Sequence, residues 1–589
     1  MTDLNNLSID NLITDNIDVW TSAIKKRNSQ GRGSNSKIEL TGVKKLRELI
    51  LELAVSSKLV PQNPNDEPAS ELLVKIAEVK AQLIADKKIK KQKPLPPIEV
   101  ENTLSLPIGW ETVRFIDVLD FSGGGQPPKS FFSEEKLEGY VQLIQIRDLG
   151  PNPQPVYIPK DKASKFCTES DVMVGRYGAS VGKVFWGKDG AYNVALIRIH
   201  NDFDSYFSGF IFLLLKSPLG QKLFTGISRS AQDGFNKDDI APALLPLPPI
   251  AEQHRIVAKV DELMVLCDQL EQQTEQSLTA HQTLVEALLN TLTQSVNADD
   301  FQESWQRIAD HFDVLFTTEA SIDQLKQTIL QLAVMGKLVP QNPSDEPASK
   351  LLEKIAEEKA QLIKDKKIKK QKPLPEITEQ EKLFQLPSGW EYIRLDEVSL
   401  NSEAGWSPSC LPTARENGRW GVLKVSAVTW GKFNPEENKE LPSELEPRVQ
   451  YEVQSGDFLI SRANTAELVA RAVVVPRGAP KKLMMSDKII RFVFSQLVDS
   501  QFISLVNSSS FAREYYASLA GGTSSSMKNV SREHIRSLVV ALPPLGEQYS
   551  IIAKVDEFTT ICEQLKARIR DAQNTKIKLA DTIVNGVLI

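Results

Sequence analysis

The residues that could do chemistry in this 589-residue chain form short, isolated motifs. The segment GASVGK at residues 178–183 is similar to a phosphate-binding loop. It is one residue shorter than GxxxxGK[ST] requires, and Val184 stands where that motif has Ser or Thr. Acidic-x-Lys pieces such as EEK at 134–136 and 357–359 could imitate a nuclease motif, but solvated surface charges explain them better. We therefore predict no catalytic residue.

Metal and cofactor signatures are equally sparse. The four cysteines never form a CxxC pair and the five histidines are scattered, so we predict neither a metal site nor a disulfide framework. The chain has no GxGxxG motif, and its Asn-Pro pairs lack the second proline and aromatic residue that an adenine amino-methyltransferase needs. Cys267 and Cys562 occupy equivalent repeat positions and are predicted to be core residues.

Bulk composition limits the possible partners only loosely. With 70 Lys and Arg against 76 Asp and Glu, the net charge is −6, so any DNA contact must come from the placement of charges. No apolar run approaches the roughly 18 residues of a membrane span, and the polar N-terminus lacks the regions of a signal peptide. We expect a cytoplasmic protein without membrane contact.

The elements that must position any functional side chain are repeated along the sequence. Residues 46–98 (segment A) return as residues 325–377 (segment A′) at an offset of 279, with roughly four positions in five identical. Residues 247–271 (segment B) return as 542–566 (segment B′) at an offset of 295. The chain therefore contains a duplicated unit with the order A, variable, B, A′, variable, B′.

The first residues complete this pattern. A weaker match between residues 16–23 and 311–318 also has an offset of 295, so the change to 279 indicates an insertion in the first copy, near the basic, Gly- and Ser-rich residues 25–37. In a circular arrangement, B′ leads into A as B leads into A′. This order predicts a pseudo-two-fold molecule whose two ends meet.

The A segment and the residues before it are predicted to be helical. Residues 10–24 and 43–53 form the first helices, and the next runs from about Pro68 to Lys91, capped by Asp66 or Ser70. The lysines at its end suit a solvated face and the helix dipole, with contact to a DNA backbone as the alternative. These lysines are Lys87, Lys88, Lys90, Lys91 and Lys93.

The B segments are predicted to be long helices with an apolar seam. Apolar residues alternate at spacings of four and three, which is the pattern of a coiled coil. About 40 residues at 1.5 Å each would span roughly 60 Å, and the expected partners are the A helices of the opposite unit. The seam consists of Ile256, Val260, Leu263, Leu270, Ile551, Val555, Phe558 and Leu565.

The two variable segments have one predicted scaffold and different loops. Each has short apolar and β-branched runs separated by Gly, Pro and Asn, followed by a helical stretch at 207–224 in the first and 502–519 in the second. A shared skeleton with unrelated loop residues is typical of two modules that bind different ligands.

Several repeated blocks resemble the specificity subunit of a type I DNA restriction–modification enzyme. The resemblance is carried by LPPIAEQHRIVAKVDEL and LPPLGEQYSIIAKVDEF, by the LAVxxKLVPQNP block, and by the SGGGQPP and GD/SD-x-hydrophobic patterns of the variable segments. It covers nearly the whole chain and points to the branch of the family with long N-terminal and central repeats. The implied fold is α+β: two globular α/β target-recognition domains joined by long antiparallel coiled-coil helices, with pseudo-two-fold, circularly arranged repeats.

This architecture divides the chain into five predicted regions. They are an N-terminal helical repeat region (1–106), a first target-recognition domain (107–246), a central helical repeat region that forms the coiled-coil spacer (247–386), a second target-recognition domain (387–541) and a C-terminal spacer helix (542–589).

The resemblance implies a non-catalytic reader of double-stranded DNA. In that family each recognition domain reads one half of a bipartite, asymmetric target. The helical repeats dock two modification subunits, which methylate adenine with S-adenosylmethionine, and restriction subunits join for translocation and cleavage with ATP and Mg. No cofactor is expected on this chain, and the seam residues are its candidates for spacer and subunit docking. Rigid helices could fix half-sites that lie about 34 Å apart for each DNA turn.

Candidate DNA contacts follow from what each side chain can bind. Arg can bind guanine O6 and N7 bidentately and Asn can bind adenine, whereas Lys more often contacts phosphate. The candidates are Lys129, Arg147, Arg176, Tyr177, Lys183 and Lys237 in the first domain and Arg415, Arg419, Lys424, Arg462, Asn464 and Lys528 in the second. For each, an exposed side chain without a ligand is the alternative. We expect the glycines at 123–125 and 521–522 to serve loop geometry or close backbone approach, and Tyr515 and Tyr516 to be core residues.

Two other functions stay open at this point. A coiled-coil protein scaffold without nucleic acid would fit the acidic balance, but it leaves unexplained why two segments share a skeleton and differ in their loops. A self-sufficient methyltransferase or nuclease is opposed by the missing motifs. Methyl transfer by the isolated chain would support it.

Overall fold

The computed structural model describes residues 9–27, 37–87, 96–98, 104–224, 235–296, 298–416, 418–429, 431–465, 468–524 and 527–588. Most of the predicted insertion at 25–37, and Lys88, Lys90, Lys91 and Lys93, lie outside these residues. The chain divides into two compact units, the first formed by Met1–Ser277 with Ala572–Ile589 and the second by Leu278–Asp571. Each unit therefore holds one variable segment together with helices from both repeats.

The N-terminal region is helical, with one antiparallel strand pair. Its elements are α1 (Ile9–Asp15), α2 (Ile17–Ser22), β1 (Lys25–Arg27), β2 (Lys37–Glu39), α3 (Thr41–Val55) and α4 (Ala69–Ala85). Helix α3 buries Val43, Leu46 and Ile50 at the spacing that places them on one face of an amphipathic helix.

The first variable segment forms a mixed module, called module 1 (residues 104–247). Its elements are β3 (Glu111–Arg114), α5 (Phe115–Val118), β4 (Asp120–Gly123), β5 (Tyr140–Ile144), β6 (Tyr157–Pro159), β7 (Phe166–Cys167), β8 (Val172–Gly175), β9 (Val184–Trp186), β10 (Gly190–Tyr192), β11 (Leu196–His200), α6 (Ser208–Lys216), α7 (Pro218–Gln221), α8 (Lys237–Ile240) and β12 (Leu244–Leu247). One sheet has the antiparallel order β4-β11-β8-β9, and a second has the order β6-β5-β10-β7 with β5 and β10 parallel. Strands β3 and β12 pair and so close the module at its entry and exit.

The central region is again helical. Its elements are α9 (Ile250–Gln294), α10 (Ala298–Asp310), α11 (Phe312–Leu315), α12 (Glu319–Val334) and α13 (Ala348–Lys364). Helix α9 has 45 residues, so its length is about 68 Å.

The second variable segment forms module 2 (residues 384–542), and the chain then ends in one long helix. The elements are β13 (Glu391–Arg394), α14 (Leu395–Val398), β14 (Ser399–Ala404), β15 (Gly421–Leu423), β16 (Asn438–Glu440), β17 (Phe458–Ser461), β18 (Ala463–Asn464), β19 (Ala472–Val474), β20 (Leu483–Met484), β21 (Ile489–Phe494), α15 (Ser500–Ser508), α16 (Ser510–Leu519), β22 (Gly521–Ser524), β23 (Met527–Asn529), α17 (Arg532–Arg536), β24 (Val539–Leu542) and α18 (Leu545–Leu588).

The sheets of module 2 follow those of module 1. The order β14-β21-β17-β19 matches β4-β11-β8-β9, the parallel pair β15 and β20 matches β5 and β10, and β13 pairs with β24. The predicted shared scaffold and the α+β class are therefore confirmed. Tyr516 is fully buried and the Tyr515 hydroxyl donates to the His534 carbonyl (2.9 Å), as expected of core residues.

The two ends of the chain meet within the first unit. The Ile24 amide donates to Gln573 Oε1 (3.3 Å), and Lys58 Nζ donates to the carbonyl of Leu588 (3.2 Å). Ala580 is fully buried. The prediction that B′ leads into the N-terminal repeat is confirmed.

The seam of the long helices is covered by the chain itself. Ile256, Val260, Leu263 and Leu270 are at most 5% exposed, Ile551 and Val555 are buried, and Phe558 and Leu565 are partly buried against the core of the second unit. Cys267 and Cys562 are buried, as predicted.

The predicted partner of the seam is right for only part of each helix. At its start, α9 packs on the A helix of its own unit: Arg47 of α3 binds Asp268 (2.6 Å) and Glu271 (2.9 Å). At its end, Lys337 of the following A′ segment donates to the carbonyl of Thr293 (3.0 Å). Helix α9 thus contacts segment A near its start and segment A′ near its end.

The prediction for α4 was right about its start, near Pro68, but wrong about its capping residue and its end. The helix stops at Ala85, and Pro68 occupies the cap position without a side-chain hydrogen bond. Ser70 lies inside the helix, and Asp66 instead accepts an ion pair from Arg255 of α9 (2.5 Å). Asp66 therefore forms a long-range ion pair and does not cap α4.

Within the described ranges, no helix is both long and apolar enough to cross a membrane.

Candidate nucleic-acid interface

The same ion pair joins the two central strands in each module. Asp171, directly before β8, binds Arg198 of β11 (2.9 Å), and Asp457, directly before β17, binds Arg491 of β21 (2.9 Å). The equivalent charges lie on equivalent strands of the two sheets. They tie the two central strands together at the start of β8 and of β17, the ends opposite to those that Arg176 and Arg462 follow.

A predicted arginine follows the matched strand in both modules. Arg176 comes directly after β8 and Arg462 directly after β17. The Arg176 amide donates to the Ala195 carbonyl and the Arg462 amide to the Lys488 carbonyl, each at 2.9 Å. Both side chains are half-buried and leave equivalent points of the sheet.

Module 1 gathers three of its predicted residues at this point. The Arg176 guanidinium lies over the Tyr177 ring (5.2 Å to the centroid), and its Nε donates to the Phe235 carbonyl (3.3 Å). Lys183 ends the same turn, where its carbonyl accepts from the Gly175 amide (2.9 Å), and its side chain is exposed. Two cationic side chains, Arg176 and Lys183, and the ring of Tyr177 therefore lie on the same turn between β8 and β9.

The glycine loop beside this turn is set by close backbone approach. A side chain on Gly124 would collide with the carbonyl of Asn193, and one on Gly405, the equivalent residue of module 2, would collide with the carbonyl of Met485. This confirms the expectation for Gly124. Gly521 meets nothing within 4 Å, so close approach does not explain it.

The other predicted residues of module 1 lie on separate elements. Lys129 is exposed in a short 3-10 turn, and Arg147 is exposed in another, with Nη1 3.4 Å from Gln154 Oε1. Lys237 forms an ion pair with Asp120 (2.5 Å). The charge of Lys237 is thus balanced inside the module, whereas Lys129 and Arg147 present theirs to solvent.

Three predicted residues of module 2 are engaged with neighbouring acids or carbonyls. Arg419 binds Glu440 (2.6 Å), Arg415 donates to the Arg419 carbonyl (2.7 Å), and Lys424 lies 3.6 Å from Glu437. The Glu416 amide and then Arg419 lower the pKa of the Glu440 carboxyl below its ordinary value. These residues hold loops together in the structure.

The remaining three lie on or directly beside one small sheet, formed by β18, β23 and β22. Asn464 of β18 pairs with Lys528 of β23, and the Arg462 carbonyl just before β18 accepts from the Val530 amide (3.0 Å). The Nε of Arg462 is buried and has no hydrogen-bond partner among the described residues. Arg462, Asn464 and Lys528 are thus brought together.

Sequence reasoning missed a buried polar clamp that holds module 1 on its long helix. Glu252, 1% exposed in the first turn of α9, accepts from Trp110 Nε1 (3.0 Å) and from the Ser57 hydroxyl (3.3 Å). The next residue, Gln253, accepts from the Phe207 amide (2.7 Å). Burial raises the pKa of Glu252. One helix turn therefore binds the A segment, the module entry and the start of α6.

Module 2 is held in the same way. Glu547 accepts from Trp390 Nε1 (2.9 Å) and from Gln341 Nε2 (3.2 Å), and Gln548 accepts from the Asp499 amide (2.9 Å). Burial raises the pKa of Glu547 as well. The signal was present in the sequence, since Glu-Gln follows LPPxx in both B segments and Gly-Trp opens both modules.

In the part of the chain that the structure describes, no group of three His, Cys, Asp or Glu side chains could hold a metal ion.

Comparison with known proteins gives consistent matches. Residues 107–280 match the family model described as "Type I restriction modification DNA specificity domain". The chain is 44% identical over 601 residues to the type I restriction enzyme EcoEI specificity subunit of Escherichia coli and 38% identical over 606 residues to the EcoAI specificity subunit of the same species. Each alignment covers 99% of this chain and 100% of the relative. A solved chain of a type I R-M system is 17% identical with a TM-score of 0.46, over 82% of this chain and 99% of that chain.

Proposed function

Because the chain belongs to the family of type I restriction enzyme specificity subunits, we propose that modules 1 and 2 each read one half of a bipartite double-stranded DNA target. As a specificity subunit, the chain confers sequence specificity and is not itself a catalytic subunit. The observation that carries the proposal is the matched pair of modules. They share sheet order, the Asp–Arg ion pair, the glycine turn and an arginine after the matched strand, but their other projecting residues differ.

Arg176 and Arg462 are the principal candidates for base contact. They leave equivalent points of equivalent sheets, and an arginine can bind guanine bidentately in the major groove. Tyr177 and Lys183 accompany the first, and Asn464 and Lys528 the second. Lys237 and Arg419 would have to break an ion pair to reach DNA, so we do not count them among the principal DNA contacts.

Two modification subunits and the restriction subunits are the proposed protein partners. Since the seam side chains are covered by the chain itself, we assign them the spacer role and assign docking to exposed apolar residues of the long helices. These are Val265 and Leu284 on α9 and Tyr549, Ile561 and Leu579 on α18. S-adenosylmethionine, ATP and Mg would be bound by the partner subunits in the cytoplasm, and none by this chain.

The test is co-expression with modification subunits, followed by mapping of methylated adenines in host DNA. We expect a single bipartite motif with a fixed gap. Arg176→Ala should weaken discrimination between bases in one half of that motif, and Arg462→Ala should weaken it in the other half. In each case we expect the preference for the correct base to fall by about tenfold to a hundredfold, because a bidentate arginine–guanine contact contributes about 1–3 kcal/mol of discrimination. Arg307→Ala is the control, since this exposed arginine of α10 pairs only with Glu303 of the same helix among the described residues.

Three outcomes would count against the proposal. A stable complex without any methylation would favour the scaffold function. A change in both halves caused by one substitution would contradict independent reading by two modules. Methyl transfer by the isolated chain would show a self-sufficient enzyme.

A further inference from the structure

The segment at the end of α13 is unusually basic. Residues 364–372, here called the lysine strap, contain six lysines in nine positions. The ten residues KKIKKQKPLP at 366–375 are identical to those at 87–96 in the first A segment. Both copies of the repeat thus keep the same lysine spacing, although the modules that follow them have diverged.

The main chain at the end of the lysine strap is held against module 2. Arg536, at the end of α17, donates to the Lys372 carbonyl (3.4 Å) and binds Asp396 (2.8 Å). Arg394, a buried residue at the end of β13, donates to the carbonyls of Pro375 and Glu376, both at 3.3 Å. These contacts use backbone carbonyls and leave the lysine side chains outside.

The lysine charges are not compensated locally. All six side chains are exposed, and the one ion pair among them in the described structure is a 3.7 Å contact between Lys367 and Asp365. By contrast, Lys350 and Lys354 on α13 bind Glu353 and Glu346 at 2.8 and 2.7 Å. A fixed cluster of positive charge on a chain with a net charge of −6 is suited to a polyanion.

We propose that the lysine strap contacts the sugar-phosphate backbone of DNA without reading its sequence. The inference rests on the proposed function and adds a second kind of contact to it. Helix α17, whose last residue holds the strap, begins three residues after β23, the strand that carries the DNA-contact candidate Lys528. The strap therefore adjoins the element that continues from a predicted reading surface.

The test uses the complex with modification subunits and replaces Lys366, Lys369, Lys370 and Lys372 together by Gln. Each lysine–phosphate contact contributes about 0.9 to the slope of log affinity against log salt concentration. We expect the magnitude of that slope to fall by about 2 to 4, equally on duplexes with and without the target. The methylated motif should stay the same, because no base contact is removed.

The matched control is Lys350→Gln with Lys354→Gln on the preceding helix α13, where acidic partners already balance the charge. The slope of this control should equal that of the wild type. An unchanged slope in the strap variant would overturn the proposal. So would failure of that variant to assemble with modification subunits, which would make the strap a protein contact. If the wild-type complex itself bound no DNA, the proposed function would be contradicted. If the wild-type complex bound its target but the strap variant had the same salt slope as the wild type, only the proposed role of the strap would be contradicted.

Discussion

At the residue scale, the clamp glutamates show how a buried acid can be held by neutral donors. Glu252 is nearly inaccessible, and its two hydrogen-bond donors, Trp110 Nε1 and the Ser57 hydroxyl, are both neutral. Because burial outweighs these hydrogen bonds, the pKa of Glu252 lies above its ordinary value. The folded state therefore binds a proton on this side chain more tightly than the unfolded state does.

The raised pKa of Glu252 determines how this side chain makes the free energy of unfolding depend on pH. Between the unfolded and the folded pKa of Glu252 the folded protein binds more protons, so this group's contribution to stability falls as pH rises through that window. Glu252→Gln keeps an acceptor for Trp110 and removes the titration. We expect its free energy of unfolding at neutral pH to equal or exceed that of the wild type, while Glu252→Ala should lower it by about 1–3 kcal/mol.

Urea unfolding at a series of pH values measures both variants, with the exposed Glu286→Gln as control. If the Glu252→Gln variant were less stable than the wild type at neutral pH but equal to it in acid, the predicted sign would be reversed.

The residue types of the candidate interface could be predicted from sequence, but their surroundings could not. Arg176 and Arg462 stand out because each follows an apolar strand pattern that begins with an aspartate. That Lys237 pairs with Asp120, and Arg419 with Glu440, depends on residues brought together from distant or loop positions. Periodicity carries no information about such contacts.

At the element scale, the apolar periodicity of the long helices was a reliable guide, whereas the cap and end of α4 and the packing partners of the long helices were not. The seam of α9 and α18 was predictable because a spacing of four and three is a property of one helix. Its partner was not, because A and A′ are nearly identical in sequence, so no pattern could distinguish which copy each half of a long helix contacts. The parallel pairing of β5 with β10 is likewise a long-range choice.

The seam assignment can be tested within one helix. Leu263 is 1% exposed and Val265, two residues later, is 55% exposed. We expect Leu263→Asp to destabilise the first unit by at least about 3 kcal/mol, because a carboxylate would be buried without a partner, and Val265→Asp to change stability by less than about 0.5 kcal/mol. Hydrogen exchange of the α3 amides reports the effect even if the aspartate variant unfolds only locally.

Equal protection of α3 in both variants would show that Leu263 does not form the seam. Loss of subunit assembly in Val265→Asp with normal stability would instead support the exposed face of α9 as the docking surface.

At the scale of the whole molecule, the boundary between compact units does not follow the order of the repeats. Helix α9 passes from the first unit to the second at residue 278, and α18 passes from the second to the first at residue 572. The last turns of the chain thus belong to the unit that contains its beginning. A change near the C-terminus should therefore be felt by the N-terminal helices, hundreds of residues away in sequence.

Ala580 and Leu579 give a matched test of this closure. Ala580 is fully buried, whereas Leu579 is 46% exposed. The neighbouring Asp581 binds Lys45 of α3, and Leu588 accepts from Lys58. Ala580→Asp should accelerate hydrogen exchange in α3 and leave α12 unchanged, because α12 binds earlier turns of α18 through Lys326–Glu563 (3.1 Å) and Glu319–Arg570 (2.8 Å). In Leu579→Asp, the amides of both helices should exchange as slowly as they do in the wild type. Faster exchange in α12 but not in α3 would mean that the C-terminal turns support the second unit, and the circular closure of the chain would have to be abandoned.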